Sequence, residues 1–395
     1  MFAAKLQRLP DLTIHINPEG RIQLSSGGRA MDGGLYTLAL LEAFEHPATL
    51  DEAAARLVSL ATTDAQRAEL LAQGAELVRF GFLYPVDNAL PAGDATAFNT
   101  PPIHIAMLED RTRTGAYLKA IAEGVRPDNI VLEIGTGSGI LACAAARAGA
   151  AHVYAVEGTS IAATAREVIA ANGYADRVTV IEGWSTRIEL PTRADVLIAE
   201  IIGNEPLGEG LLEATYDAAQ RLLKPDARYL PARIALYAQL YTLPDDLVEQ
   251  QVFTRQQMAR WGRWYGFDFA PLLALNALHS DLIFPQELEE CEPRSEPILI
   301  ESIDLSRITY TSFERTVRGV TNTDGLVNAI IVGFRVQLDA QRWLSTLPGE
   351  APDDNHWLVS LRTLPEPRPV HAGEAFTLHY SYDSASRSHA FRIDS

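Results

Sequence analysis

Val131-Leu132-Glu133-Ile134-Gly135-Thr136-Gly137-Ser138-Gly139 decides the fold. Val131–Ile134 reads as a strand buried on both faces, because its apolar residues do not alternate with exposed polar ones. The three glycines then form a turn in which the backbone can pass close to a ligand, and a helix pattern begins at Ile140. In an open α/β sheet such a turn lies at the carboxyl edge of the strands, where ligands bind. G-x-G-x-G alone does not choose among nucleotides, since dinucleotide enzymes use similar turns. Two acids narrow the choice. Glu133 lies inside the strand, and Glu157 ends the next one, Val153-Tyr154-Ala155-Val156-Glu157. A carboxylate there can accept both hydroxyls of a ribose; the plain alternative is an exposed acid at a strand end.

Working outward, strand and helix patterns alternate. Ile130–Ile134 is followed by a helix from Ile140, His152–Val156 by a helix over Ser160–Ala171, and then come Val178–Ile181 and Ala194–Ala199. This alternation predicts a parallel sheet covered by helices on both faces. A helix pattern from Met107 to about Glu123 precedes it. After Pro231 strand-like runs dominate (Arg233–Leu240, Glu301–Ile303, Val327–Gln337, Ala375–Tyr382), with one helical insertion near Asp246–Trp261. That predicts an antiparallel β-domain. At the other end, Leu12–Asn17 and Arg21–Ser25 flank Pro18-Glu19-Gly20 and read as a hairpin. Helix patterns follow near Tyr36–Glu45, Leu50–Leu60 and Asp64–Arg79, with Thr49 and Thr63 as N-caps. Strands plus three short helices suggest a winged-helix unit, and the Ala-, Pro- and Asn-rich Asn88–Pro102 a linker. The expected divisions are residues 1–87, 88–102, 103–231 and 232–395.

Composition excludes several classes. The 395 residues carry 33 Lys and Arg against 51 Asp and Glu, a net charge of −18 that would repel nucleic-acid phosphates and attract a cationic substrate. Acidity alone is also a common route to solubility. The N-terminal ninety residues hold seven Lys and Arg against eleven Asp and Glu, which argues against a DNA-binding winged helix. The sequence has no eighteen-residue apolar run and no signal-peptide layout, so the expectation is a cytoplasmic protein with no membrane partner. Two cysteines, Cys143 and Cys291, indicate neither a disulfide framework nor a metal site.

Ala199-Glu200-Ile201-Ile202-Gly203-Asn204-Glu205-Pro206-Leu207-Gly208-Glu209-Gly210 follows the fourth strand. Glu200 sits at a strand end and Glu209 is expected to open the next helix, so both can face one cleft. Singly, each has a plainer reading: Glu209 as an acid favoured by a helix dipole, Glu200 as a solvated end residue. Together they resemble the double-glutamate loop of protein arginine methyltransferases. His104-Ile105-Ala106-Met107-Leu108-Glu109-Asp110-Arg111-Thr112-Arg113-Thr114-Gly115-Ala116-Tyr117 is similar to that family's H-x-x-M-L-x-D-x-x-R-T-x-x-Y segment. Leu344-Ser345-Thr346-Leu347-Pro348, Asn355-His356-Trp357 and Trp264-Tyr265-Gly266-Phe267-Asp268 resemble further landmarks in the same order, over roughly residues 98–395.

The resemblance implies a Rossmann-like class I methyltransferase domain, then an antiparallel β-barrel with a helical dimerisation arm at about 246–275, and S-adenosyl-L-methionine as cofactor. It implies that Arg113 holds the cofactor carboxylate, that Gly135 and Gly137 shape its pocket with Glu133, Gly158, Ser185 and Glu200, and that Glu157 binds its ribose. Glu200 and Glu209 would clamp the acceptor arginine, Met107 would limit space beside the accepting nitrogen, and Asp110 and His356 would pair, either as proton acceptor or as a structural tie. A homodimer is expected, in which Leu247, Val248, Val252, Phe253, Met258 and Trp261 would bury against a partner; the alternative is that they pack within their own chain. There are departures. Phe98 keeps one aromatic of the family's N-terminal segment, whereas Asp94 and Ala95 replace two; Asn204 stands for a common Tyr, and Thr186 for a Glu near the adenine. Glu205-Pro206-Leu207-Gly208-Glu209-Gly210 and Tyr237-Ala238-Gln239-Leu240 look closest to the branch that makes only monomethylarginine. Residues 1–87 resemble a PqqD-like element that binds the leader of a ribosomally made peptide precursor. Rival readings are a methyltransferase for histidine, an amine or a small molecule, and a non-catalytic scaffold.

Overall fold

A computed structural model of the chain describes residues 5–9, 12–16, 21–26, 29–79, 82–85, 100–278, 281–384 and 387–394. The expected hairpin turn at Pro18-Glu19-Gly20, the linker over 88–99 and the departures at Asp94, Ala95 and Phe98 lie outside the described residues. The chain divides into two compact units, Met1–Pro101 and Pro102–Ser395.

In the first unit Thr13–Ile16 pairs antiparallel with Ile22–Ser26, as expected, and a third strand, Arg29–Asp32, extends the sheet. A second pair, Leu6–Arg8 with Leu83–Pro85, joins the two ends of the unit. The helices are Thr37–Ala43, Leu50–Arg56 and Asp64–Arg79. Thr49 and Glu52 form a reciprocal capping box, and Thr63 and Gln66 exchange the same two bonds, so both expected N-caps are in place. Leu24, Tyr36, Leu40, Leu41, Phe44, Leu50, Leu70, Leu77 and Phe82 pack into a core that belongs to this unit alone.

In the second unit five parallel strands are ordered Leu223–Leu230, Ala194–Ala199, Ile130–Ile134, His152–Glu157 and Val178–Glu182. Helices Ile140–Arg147, Ala162–Ala171 and Leu211–Arg221 follow three of them. The chain order reverses between Ile130–Ile134 and Ala194–Ala199, and the glycine turn leaves the sheet at that switch point. One expected helix is two: Pro101–Glu109 ends, and Asp110 caps Arg111–Gly124 by accepting from the Arg113 amide at 2.8 Å. Helical periodicity continues across such a corner, which is why the break is not visible in the pattern.

The C-terminal strands are antiparallel, but they do not close into a hydrogen-bonded barrel among the described residues. Arg233–Thr242, Gly325–Gln337 and Val359–Val370 lead a seven-stranded sheet, while Phe313–Val320, Ala375–Asp383 and Ser388–Asp394 form a separate sheet of three. Side-chain packing joins the two sheets in place of a ladder: Phe313, Tyr380 and Phe391 of the small sheet share one core with Ile300 and Ile303 of the large one. The helical insertion is Asp245–Gln251 followed by Arg255–Tyr265. Its expected partner-facing residues Val248, Val252 and Met258 are buried in their own chain, and Phe253 and Trp261 meet edge to face. Trp264, Tyr265 and Phe267 are the aromatics left exposed, at 61%, 62% and 71%. Helical spacing marks a face to be buried without saying against what.

Candidate active site

The glycine turn is built by left-handed backbone. Gly135, Gly137 and Gly139 have φ of 81°, 50° and 84°, where a β-carbon is disfavoured. A β-carbon on Gly135 would also come within 2.5 Å of Ile201 in the Glu loop, so the two loops touch only because this residue is Gly. Glu157, buried at the end of its strand, accepts from the Gly137 amide on Oε2 and from the Thr159 amide on Oε1, each at 2.9 Å. The Thr159 hydroxyl donates at 2.7 Å, and a carboxylate so placed still has a lone-pair site to offer a ligand. Glu133 is fully buried beneath the turn; it accepts from the Thr136 hydroxyl on Oε2, and burial raises its carboxyl to about 7. Gly158 lies beside the indole of Trp184, and Ser185 is buried with its carbonyl held by Arg221.

Arg113 and Glu200 meet directly, Nη1 to Oε2, at 2.8 Å. Nη2 of Arg113 donates to the Met107 carbonyl, also at 2.8 Å, so Met107 enters the site through its backbone. The indole of Trp357 stands 5.8 Å from the Arg113 guanidinium. Two buried polar atoms at this edge, Arg113 Nε and Glu133 Oε1, have no hydrogen-bond partner among the described residues. An unpartnered donor atom on Arg113 and an unpartnered acceptor atom on Glu133 fit a polar, zwitterionic ligand such as S-adenosylmethionine.

Glu209 does not open the helix. Gly210, with φ of 84°, caps Leu211–Arg221, and Glu209 occupies the turn before it, where a β-carbon on Gly203 would come within 2.7 Å of its Oε1. Burial and then the Glu200 carboxylate push the Glu209 carboxyl up to about 8, with Arg113 and Arg387 pulling the other way. Burial likewise raises Glu200, opposed by Arg113. A buried acid held back from ionising by burial and by the Glu200 carboxylate forms a site whose charge is released by an incoming cation.

The predicted Asp110–His356 pair is present: Nδ1 of His356 lies 2.8 Å from Asp110 Oδ2, and the His356 amide donates to the same oxygen at 3.2 Å. Burial opposes ionisation of Asp110, but the hydrogen bonds from His356 and from the Arg113 amide outweigh it and hold the carboxyl below its ordinary value. Sequence reasoning missed what holds the Glu loop to the β-domain. Trp357 Nε1 donates to the Ile202 carbonyl at 2.8 Å, the Leu358 amide to Asn204 Oδ1 at 2.9 Å, and Tyr382 Oη to the Leu207 carbonyl at 2.8 Å. Asn204, noted above only as a departure, thus has a tethering role. Tyr382 carried no local signal.

A glycine turn at a switch point, a strand-end acid beside it and a buried carboxylate pair one loop away define a nucleotide-dependent transferase of the Rossmann-like methyltransferase class. Comparison with known proteins narrows this. Residues 111–270 match the family described as ribosomal protein L11 methyltransferase (PrmA). An arginine N(omega)-methyltransferase of Streptomyces achromogenes subsp. streptozoticus is 35% identical over 303 residues, 73% of this chain and 80% of that protein. A probable histone-arginine methyltransferase 1.4 of Arabidopsis thaliana is 34% identical over 71% of this chain, which spans only 54% of that relative's length. In fold, the chain is similar to the Trypanosoma brucei PRMT1 enzyme–prozyme complex with AdoHcy, at TM-score 0.66 and 24% identity over 75% of this chain and 98% of that one. The chain belongs to the arginine N-methyltransferase family, enzymes that take their methyl group from S-adenosylmethionine.

Proposed function

We propose that this chain monomethylates an arginine side chain of a peptide captured through residues 1–87. The observation that carries the acceptor assignment is the buried pair Glu200 and Glu209, with Glu209 held near pH 8 until a cation arrives. S-adenosylmethionine, when bound, supplies an electrophilic methyl group on a sulfonium. Glu157 holds its ribose, in a pocket that Gly135 and Gly137 shape; Arg113 holds its carboxylate; Glu133, Gly158 and Ser185 line the rest. A guanidinium is protonated at any usable pH and its electrons are delocalised. Two carboxylates that hydrogen-bond it aim one terminal nitrogen and draw positive charge to the others, leaving that nitrogen the better nucleophile. Their charge also balances two neighbouring cations. Met107 limits the space beside that nitrogen, which favours a single methylation. The proton lost afterwards passes to solvent or to His356, which Asp110 orients.

Residues 1–87 are read as a PqqD-like leader-binding element, 88–102 as a linker, 103–231 as the donor domain and 232–395 as the substrate domain. The strand Thr13–Ile16 pairs on one side only among the described residues and exposes Ile14 and Ile16 at 38% and 54%. An open, apolar edge suits an added strand from an extended peptide. Tethering would raise the acceptor's effective concentration at Glu200 and Glu209. We read the chain as a cytoplasmic homodimer joined through Trp264, Tyr265 and Phe267. No helix among the described residues is long and apolar enough to cross a membrane.

A truncated chain beginning near Ala92 tests the leader reading. It should keep donor binding and activity on a short arginine peptide, and lose at least about tenfold on the full precursor. Equal loss on both substrates, or unfolding, makes residues 1–87 a structural cap. A second reading is free arginine as acceptor, favoured by the Streptomyces relative, whose name gives arginine without "protein". Higher kcat/KM on free arginine than on any peptide would select it.

A further inference from the structure

The hairpin of strands Ala375–Asp383 and Ser388–Asp394 lies against the loop that carries Glu209, and three of its side chains reach that loop. His389 Nε2 lies 3.5 Å from Glu205 Oε1. Tyr382 Oη donates to the Leu207 carbonyl and lies 3.2 Å from Glu213 Oε1. Arg387, on the turn between the strands, lies over Gly210: a β-carbon there would stand 3.1 Å from the Arg387 Cζ and 3.3 Å from its Nε and Nη2. A β-carbon at position 210 would crowd this guanidinium, which lies over the residue next to Glu209. The hairpin also accepts an unfavourable backbone to deliver it, since Arg387 has φ of 52°, the one positive-φ residue other than glycine among those described.

We propose that Arg387 is a positioning residue for Glu209, a fixed cation behind the carboxylate that holds it aimed at the acceptor arginine and offsets the charge of Glu200. This rests on the two-carboxylate reading given above. The groups facing Glu209 are Glu200 at the end of Ala194–Ala199, Arg113 on Arg111–Gly124, Glu157 at the end of His152–Glu157, and Arg387. Arg113 is committed to Glu200 at 2.8 Å and, in the reading above, to the donor. Arg387 is therefore the cation that reaches Glu209 from the hairpin side, and it acts on Glu213 as well. Two acids and one cation in the front of the pocket then become two acids between two cations, into which a third guanidinium can enter as the ligand.

The test uses the full chain with Arg387→Gln, Arg387→Gly and Arg387→Lys. Gly suits the left-handed turn, so Arg387→Gly removes the charge without harming the hairpin. Removing an adjacent opposite charge moves a carboxyl upward by about one unit. The Gln and Gly variants should therefore move the acid limb of kcat/KM to higher pH by about one unit, losing about tenfold at pH 7 and little near pH 10. Lys should restore the wild-type profile. A profile that merely scales down at every pH, or Gly behaving as wild type, shows a turn residue only and overturns the proposal. Carbon-13 NMR of the Glu carboxyls, assigned with Glu209→Gln, reads the same shift without turnover. An unmoved Glu209 midpoint in Arg387→Gly overturns the proposal whatever the acceptor is, whereas full activity of Glu209→Gln overturns the two-carboxylate reading instead.

Discussion

The glycine turn and the Glu loop sit side by side at the carboxyl edge of one sheet, yet they are specified in opposite ways. Gly135–Gly139 owes its shape to its own residues: three left-handed glycines, a buried strand before it and a helix after it, with Glu157 one strand away. The loop from Glu200 to Gly210 is held from far along the chain, by Trp357 at a separation of 155 residues, by Tyr382 at 175, and by the Arg387 hairpin. A donor pocket can thus be spelled locally. The acceptor pocket exists only once the β-domain has folded onto the sheet.

The comparison breaks if damage to one region spreads freely to the other. The largest separation should come from Glu200→Gln and Glu209→Gln, each losing at least about a hundredfold in kcat, as when a preorganised charge is removed. Calorimetric titration with S-adenosylhomocysteine should change little for Glu209→Gln. Glu157→Ala should do the reverse, weakening that binding by about tenfold, the cost of one charge-assisted bond, with a smaller effect on kcat at saturating donor. Arg113→Ala should affect both pockets: it strands Glu200 and, in the function proposed above, the donor carboxylate, so binding and kcat should both fall. Tyr382→Phe removes the Leu207 tether and should cost roughly fivefold in kcat/KM for the acceptor, with donor affinity intact.

pH sharpens the same contrast. Glu209 must be ionised to hold a guanidinium, and its carboxyl lies near 8, so kcat/KM should rise with pH through about 8. Bound substrate favours the charged form, so the acid limb of kcat should lie lower. Donor binding needs no ionisation of Glu209 and should not follow this limb. Stability runs the other way. A folded midpoint above the unfolded value means the contribution is complete below the usual carboxylate range and is lost as pH rises through about 8. Tm should therefore decline from about pH 5 to pH 8 and level off above it, and less so in Glu209→Gln.

How much was legible follows from these two modes. The strand, turn and helix around Gly135, the acid at Glu157 and the Asp110–His356 pair could all be read, because each is a short pattern or part of a family resemblance. Asp110 as the cap that splits a helix could not, since the period continues through it. Val248, Val252 and Met258 are buried within their own chain, the second of the two covers their spacing allows, because periodicity gives a face and not its cover. Barrel closure failed for the same reason: alternation along a strand fixes which side chains point inward, and leaves open whether Phe313–Val320, which bonds to Ala375–Asp383, also bonds to Ile298–Asp304 or only packs near it. Tyr382 and Arg387 sit in an ordinary hairpin and gain meaning only from what lies across the gap.

The most direct measurement is tandem mass spectrometry of an arginine-containing peptide after incubation with S-adenosylmethionine and either the wild-type chain or Glu209→Gln, at equal donor occupancy. The account requires a single methyl on a terminal guanidinium nitrogen with the wild type, and at least about a hundredfold less with the variant. A methyl on histidine, on an amine or on a carboxylate, or equal arginine methylation by both proteins, would contradict it.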